Sequence, residues 1–144
     1  MRDLPYLIKG FVESNPSWGV AGFVDVETTG LSPYAEEIVE LALVLFAFDR
    51  ATGEIAGIVD EYVGLREPDK PIPPEATAVH GITGDLVRGK RLDDARVAEL
   101  VARAEFLVAH NAAFDRAFVE RLYPFVSLKP WLCSMRGIDW RGRG

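Results

Sequence analysis

The segment FVDVETTG, residues 23–30, constrains the fold more than any other part of the chain. Residues 21–27 are rich in apolar and β-branched side chains, and a Thr-Thr-Gly turn follows them, which predicts a short strand over Ala21–Glu27. Successive side chains of a strand point to opposite faces, so Asp25 and Glu27 share one face. The fold therefore has to accommodate two adjacent carboxylates on an otherwise apolar strand.

Two neighbouring carboxylates on an apolar strand are costly, because like charges repel and burial penalises both ionised groups. A divalent cation bound between Asp25 and Glu27 removes both costs, and hard oxygen ligands suit Mg²⁺ or Mn²⁺. The alternative is that this face of the strand is exposed and both carboxylates are solvated. The pattern favours a metal site, and the strand by itself leaves the alternative open.

A second polar segment, HNAAFD over residues 110–115, lies between a brief apolar strand and a helix. Asp115 is adjacent to the apolar ridge formed by Phe114 and Phe118, so its carboxylate can reach toward a neighbouring strand. Taken alone, the pattern is also typical of a solvated aspartate in the first turn of a helix, where the helix dipole favours a negative charge.

Hydrophobic periodicity predicts an α/β domain with a mixed sheet flanked by helices. The nearly continuous apolar run of residues 38–48 predicts a strand covered on both faces, and the prolines of residues 68–74 predict a rigid surface loop. The other predicted elements are strands over residues 21–27, 55–65 and 106–109, a hairpin turn over 49–53, a short helix capped by Thr83, a helix after Asp93 and Asp94, and a helix over 112–123.

Composition is that of an ordinary single-domain globular protein, since 49% of the 144 residues are hydrophobic and 26% are charged. One cysteine, Cys133, excludes an intramolecular disulfide, no apolar run approaches the roughly 20 residues of a membrane helix, and no signal-like stretch begins the chain. We therefore expect a cytoplasmic protein. The net charge of −6 argues against binding nucleic acid by charge alone, although bound cations would change that balance locally.

Together, FVDVETTG and HNAAFD resemble the first two motifs of the DEDD family of 3′–5′ exonucleases, in its epsilon-like proofreading branch. Three further segments, EEIVELALV, AVHGIT and WLCSM, resemble family segments, and the resemblance covers about residues 20–140. It implies a ribonuclease-H-like fold. It also implies metal-dependent hydrolysis that removes nucleotides from single-stranded DNA 3′ ends, in proofreading or repair.

The resemblance implies roles for individual residues as well. Asp25, Glu27 and Asp115 would be the catalytic metal ligands, holding two Mg²⁺ or Mn²⁺ ions that clamp the scissile phosphate. The residues implied to contact substrate or to position the site are Thr28, Thr29, Gly30, His80 and Asn111. For His80, a turn histidine without a substrate role is an equally good interpretation.

The third family motif, a general-base histidine followed five residues later by a fourth carboxylate, has no match in this chain. The chain has two histidines, and both pairs, His80–Asp85 and His110–Asp115, have the required spacing. Both lie in the wrong place, because the first precedes the second motif and the other is that motif itself. Asp139 is better explained as a turn or edge residue than as a replacement ligand.

These observations predict a lead-in over residues 1–18 and, over residues 19–144, an exonuclease domain that is C-terminally incomplete and lacks its last helices. Without the base and the fourth ligand, we expect the chain to bind a divalent ion, with a weakened second metal position, and to hydrolyse DNA weakly or not at all. The alternative is a catalytically degenerate nucleic-acid-binding or polymerase-associated module. Its candidate phosphate contacts are Arg136, Arg141 and Arg143.

A further alternative is a haloacid-dehalogenase-like phosphatase, because the sequence over residues 25–29 nearly matches the first motif of that family. Glu27 is atypical there, and HNAAFD would be left unexplained.

The partners expected of the exonuclease are the 3′ end of single-stranded DNA, with RNA left open, and a DNA polymerase or helicase. No membrane association is expected, and the oligomeric state stays open.

Overall fold

The computed structural model describes residues 17–134. Predictions for the earlier lead-in residues and for Arg136, Asp139, Arg141 and Arg143 lie outside that range. The strands are β1 (Trp18–Thr28), β2 (Ile38–Asp49), β3 (Ile55–Leu65), β4 (Leu107–Ala109) and β5 (Trp131–Cys133). The helices are α1 (Pro74–His80), α2 (Gly84–Val87), α3 (Asp94–Arg103) and α4 (Ala112–Leu122), with a 3₁₀ helix over Pro124–Leu128.

The five strands form one mixed sheet in the order β3-β2-β1-β4-β5. β2 runs antiparallel to both β1 and β3, whereas β1, β4 and β5 run parallel to one another. β4 is short and pairs only with Gly22 and Phe23 of β1. The last part of β1, which carries the two carboxylates, therefore extends past its pairing with β4.

Helices α3 and α4 cover one face of the sheet. Val24 of β1 and Leu43 of β2 are register partners on that face, and both belong to the core together with Leu100 of α3 and Phe118 of α4. Asp93 caps the start of α3, and its side chain accepts a hydrogen bond from the Arg96 N–H. This agrees with the acidic first turn seen in the sequence. The predicted α/β class and the cap by Thr83 are both confirmed, since the Thr83 side chain accepts from the Leu86 N–H.

The opposite face of the sheet is only partly covered, so the prediction that β2 is buried on both faces is wrong. Burial alternates along β2: its odd-numbered residues from 39 to 47 are buried, and Ala42, Val44 and Phe46 are half-buried. On the same face, Ile58 is 45% exposed and Val63 62% exposed. Alternation of this kind is typical of antiparallel strands with one solvent-facing side. The sequence does not show it, because the even-numbered residues are apolar as well.

The sequence pattern does not predict α1, β5 or the 3₁₀ helix over Pro124–Leu128. The Pro-rich stretch ends in a helix rather than a loop, because Pro74 occupies the first turn of α1, where the missing N–H has no helical partner to lose. β5 has three residues and becomes a strand through its pairing with β4. No helix among residues 17–134 is both long and apolar enough to cross a membrane.

Candidate active site

Asp25 and Glu27 lie on the partly covered face of β1, near its carboxyl end. Their register partners on β2 are Ala42 and Glu40. Asp25 is exposed and Glu27 is half-buried. Burial raises the pKa of Glu27, and the charges of Asp25 and Glu40 raise it further. The two costs expected of this carboxylate pair, desolvation and mutual repulsion, are therefore both present at Glu27.

Asp115 reaches this part of β1 from the first turn of α4. Its side chain is buried, with 6% relative exposure, and its Oδ1 accepts a hydrogen bond from the Val26 N–H at 3.1 Å. Val26 lies between the two β1 carboxylates and beyond the two β1 residues that pair with β4. The carboxylate thus continues the hydrogen bonding of β1 where β4 stops, and the prediction that it reaches a neighbouring strand is confirmed.

The environment of Asp115 disfavours its charged form. Burial raises its pKa to about 6, and the nearby charges of Asp25 and Glu27 contribute to the rise, while the Val26 N–H opposes it. A buried carboxylate with two like charges beside it is poorly compensated by backbone N–H donors alone. A cation is the partner that would relieve all three groups.

The donor set fits Mg²⁺ or Mn²⁺ in its chemistry, since both ions prefer carboxylate oxygens. Within residues 17–134, no three acidic, histidine or cysteine side chains are arranged to hold an ion as they stand. Asp25, Glu27 and Asp115 are nevertheless close enough to raise the pKa of Asp115 together. A cation bound among them would offset the repulsion between these like charges.

The turn after β1 is closed by hydrogen bonds of its own residues. Thr28 Oγ1 donates to the Gly30 carbonyl at 2.6 Å, and Thr29 Oγ1 donates to Glu36 Oε2 at 2.6 Å while accepting from the Glu37 N–H at 3.0 Å. A Cβ atom on Gly30 would lie 2.8 Å from Glu36 Cγ, so the close approach requires glycine. The hydroxyls implied to contact substrate are therefore engaged within the turn.

Glu36 is a site-shaping residue that the sequence did not single out. Its carboxylate crosses the turn and bonds Thr29, although it belongs to the loop before β2. The only available signal was its position beside Glu37 immediately before an apolar run. Charge pairs of that kind usually lie on a solvated surface, so no pattern in the sequence indicates that Glu36 lies at the turn.

His80 lies against the same end of β1. Its Nε2 is 3.0 Å from the Thr28 carbonyl oxygen, and its Nδ1 accepts from the Ile82 N–H at 3.0 Å. The other half of its spacing pair, Asp85, forms a surface ion pair with Arg88 at 2.6 Å. The structure thus brings His80 to the carboxylates and leaves Asp85 out.

Asn111 acts through its backbone at the start of α4. Its carbonyl accepts from the N–H groups of Phe114 and Asp115 at 3.0 and 3.1 Å, and its exposed side chain makes no capping bond. The preceding His110 is exposed, and its Nδ1 lies 3.1 Å from Ser134 Oγ. Asn111 therefore fixes where α4 begins, and with it the place of Asp115.

Comparison with known proteins identifies the family. The sequence model of a family described as Exonuclease matches residues 23–123, which include both carboxylate motifs. The chain belongs to this exonuclease family. This membership is consistent with a 3′–5′ exonuclease of the DEDD type. Exonucleases of this kind use divalent metal ions.

Curated relatives of this exonuclease domain are much longer than the chain. A "DNA polymerase III PolC-type" of Thermotoga maritima is 33% identical over 146 residues, covering 97% of this chain and 9% of its own length. A "DNA polymerase III subunit epsilon" of Treponema pallidum is 36% identical over 101 residues, covering 66% of this chain and 42% of its own length. The chain thus spans less than half the length of either relative.

Solved structures share the exonuclease fold. Exonuclease X in complex with 5′ overhanging duplex DNA is 31% identical, with a TM-score of 0.52 over 72% of this chain and 64% of that one. The metal-free complex of E. coli exonuclease I with single-stranded DNA has a TM-score of 0.61 at 19% identity, over 80% of this chain and 28% of that one. The second likeness shows the fold alone, and it agrees with the ribonuclease-H-like sheet predicted here.

Proposed function

We propose that this chain is a divalent-metal-dependent 3′–5′ exonuclease domain that acts on single-stranded DNA 3′ ends, in proofreading or repair. Asp25, Glu27 and Asp115 are its proposed ligands for Mg²⁺ or Mn²⁺. The observation that carries the proposal is the 3.1 Å hydrogen bond from the Val26 N–H to Asp115, which joins the third carboxylate to the residue between the other two. Membership of the exonuclease family supplies the reaction type.

Each carboxylate has a distinct proposed part. Bound divalent ions supply charge neutralisation at the scissile phosphate and at the leaving 3′ oxygen. Asp25 is exposed on the open face of β1, so its carboxylate would be free to hold an ion there. Asp115 keeps one oxygen on the Val26 N–H, which fixes the carboxylate and leaves the second oxygen for an ion. The backbone of the turn over residues 28–30 is the proposed contact for the terminal nucleotide.

We further propose that turnover by this 144-residue chain is slow or absent. Its sequence contains two histidines, and both ring nitrogens of His80 are engaged by backbone groups. His110 contacts Ser134, and its spacing partner is Asp115, which is already a proposed ligand. Loss of general-base assistance typically costs about 10²–10⁴-fold in rate, and a second metal position without a fourth carboxylate would hold its ion more weakly.

Two relatives named as DNA polymerase III components support a proposed association with a replicative polymerase. The likeness to exonuclease X in complex with 5′ overhanging duplex DNA supports DNA as the proposed substrate class. A catalytically degenerate nucleic-acid-binding module is the second candidate, favoured by the engagement of both nitrogens of His80.

The test is release of nucleotides from a 5′-labelled single-stranded DNA by the full chain, with Mn²⁺ and with a chelator. We expect slow shortening from the 3′ end, about 10²–10⁴-fold below an intact exonuclease X measured alongside, abolished by chelator and by Asp25→Asn. Glu61→Gln is the matched control, because Glu61 is an exposed carboxylate on β3, which is separated from β1 by β2. An RNA of the same sequence separates the two nucleic acids.

Three results would contradict the proposal in different ways. DNA binding that survives Asp25→Asn, without turnover, identifies the degenerate module. Shortening at the rate of the intact enzyme overturns the proposed loss of activity and leaves the exonuclease function standing. If the chain shows neither DNA binding nor turnover, the proposed nucleic-acid function is wrong.

A further inference from the structure

The imidazole of His80 joins two segments that are far apart in the sequence. Its Nε2 lies 3.0 Å from the carbonyl oxygen of Thr28, 52 positions away, and its Nδ1 lies 3.0 Å from the backbone nitrogen of Ile82. One segment is the end of β1, directly after Glu27. The other is the turn that joins α1 to α2.

The two partners fix the tautomer of the ring. A backbone N–H can only donate, so Nδ1 is the acceptor and carries no proton. A carbonyl can only accept, so the proton of the neutral ring is on Nε2. Both nitrogens are then engaged, and neither offers a free lone pair to an attacking water.

The turn that carries His80 is itself firmly held. Gly81 ends α1 in the left-handed region, at φ 75°, and its N–H bonds the Thr77 carbonyl at 2.7 Å. The Thr77 hydroxyl donates to the Ile82 carbonyl at 2.7 Å. Ile82 is buried in a small cluster with Val39 of β2. The ring therefore projects from an anchored turn rather than from a free loop.

The point that the ring holds is an irregular one. The register of β1 with β2 shifts between Glu27, which pairs with Glu40, and Thr28, which pairs with Ile38, so Val39 of β2 is the extra residue of a bulge opposite this point. Bulges redirect the side chains beside them, and this bulge lies opposite the chain immediately after Glu27. The Thr28 carbonyl belongs to the Thr28–Thr29 peptide, so a bond to it restrains the chain immediately after Glu27 and limits how the backbone that carries Glu27 can turn.

We propose that His80 is a positioning residue, which as the neutral Nε2–H tautomer ties the α1–α2 turn to the bulge and so aims Glu27 at the metal. The inference rests on the proposed function for the metal site, and it assigns His80 neither ligation nor proton transfer. Groups that orient metal ligands from outside typically contribute about 10–100-fold to metal affinity.

The tautomer is tested directly on the wild-type protein. In ¹⁵N-labelled full-length chain at about pH 8, imidazole nitrogen shifts and couplings distinguish a protonated Nε2 from a protonated Nδ1. The chain has two histidines, so His110→Asn assigns the remaining ring signals. We expect Nε2–H for His80. A proton on Nδ1, or averaging between both tautomers, overturns the proposal.

The positioning role is tested by three variants and a Mn²⁺ titration. Gln places an amide near the position of Nε2 and retains a donor for Thr28, whereas Asn reaches only the position of Nδ1, and Ala reaches neither. We expect Mn²⁺ affinity to fall about 10-fold or more in His80→Asn and His80→Ala, and to stay within about threefold of wild type in His80→Gln. His110→Asn is the matched control, with affinity unchanged.

Denaturant unfolding of the metal-free variants separates positioning from simple destabilisation. A purely structural histidine would lower stability while leaving the Mn²⁺ affinity of the folded protein equal in all variants, and that result overturns the proposal. Failure of the proposed function is recognised from the wild type alone, which would then bind no Mn²⁺. The positioning role would fall with it, whereas the tautomer experiment would still report on the two hydrogen bonds.

Discussion

Asp115 is the residue whose environment and proposed role conflict most. It is buried beside two other carboxylates, and its pKa is raised to about 6. Replacing it with Asn keeps an oxygen that can accept from the Val26 N–H and removes the charge. We expect Asp115→Asn to raise the free energy of unfolding of the metal-free chain by about 1–2 kcal/mol at pH 7, while abolishing Mn²⁺ binding. Urea unfolding measures the first effect and Mn²⁺ titration the second.

The exposed Asp85, paired with Arg88 at the surface, provides the matched control. Asp85→Asn is expected to change stability by less than about 0.5 kcal/mol and to leave Mn²⁺ binding intact. Equal effects of the two substitutions on the free energy of unfolding would show that the buried charge of Asp115 does not destabilise the metal-free protein. Loss of stability in Asp115→Asn would show that its negative charge is compensated in the metal-free protein.

The pH dependence of the same residue has a definite sign. The pKa of Asp115 rises on folding from 3.8 to about 6, so between these values the folded state binds the proton more strongly. The contribution of this group to stability is therefore greatest below the unfolded value and is lost as pH rises through about 6. We expect the stability difference between wild type and Asp115→Asn to grow from about pH 4 to pH 6 and to level off above that, when urea unfolding is measured without metal.

At the scale of single residues, the sequence could identify the carboxylates and not their surroundings. The two-residue period of a strand suffices to put Asp25 and Glu27 on one face. The bond from Val26 to Asp115 joins residues 89 positions apart, and no local pattern encodes it. The engagement of Thr29 by Glu36 was equally out of reach, because it depends on the path of the loop before β2.

At the scale of elements, α3 is fixed to β3 by one carboxylate. Asp60 of β3 accepts hydrogen bonds from Arg96 at 2.5 Å and from Arg103 at 2.8 Å. The two arginines lie about two turns apart on the same face of α3. Burial opposes ionisation of Asp60, but the two guanidinium groups and the Glu61 N–H together hold its pKa below the usual value. We expect Asp60→Asn to lower the free energy of unfolding by about 1–2 kcal/mol at neutral pH, measured in urea.

The sign of the Asp60 effect is opposite to that of Asp115. Its folded pKa is depressed, so its contribution is present above the unfolded value and is lost as pH falls through the folded one. The stability difference between wild type and Asp60→Asn should therefore shrink below about pH 4. Glu99→Gln is the control, because Glu99 shares both arginines but is 53% exposed, and its loss is expected to cost under about 0.5 kcal/mol. A difference that persists in acid would contradict the ion-pair explanation.

Elements with a strong local signal were predictable, and those defined by their neighbours were not. The predicted positions of β2, β3, α3 and α4 follow from apolar periodicity and capping residues. The sequence does not predict α1, because a stretch rich in proline is typical of a loop. Pro74 nevertheless starts a helix. β5 exists only through its pairing with β4, and the half-open face of β2 is lined by apolar residues that look buried.

At the scale of the whole molecule, metal binding and folding stability are linked, because a ligand that binds only the folded chain stabilises it. The proposed ligands come from β1 and α4, so they are brought together only when the sheet and its covering helix have formed. With free Mn²⁺ at about 100 times its dissociation constant, the gain is about 2.7 kcal/mol, which for a chain of this size raises the midpoint of thermal unfolding by roughly 6–10 °C. Asp25→Asn should show no such rise, and Glu61→Gln should show all of it. An equal rise in both variants would place Mn²⁺ elsewhere on the protein. A rise absent from the wild type would mean that the three carboxylates do not form a metal site in the folded chain.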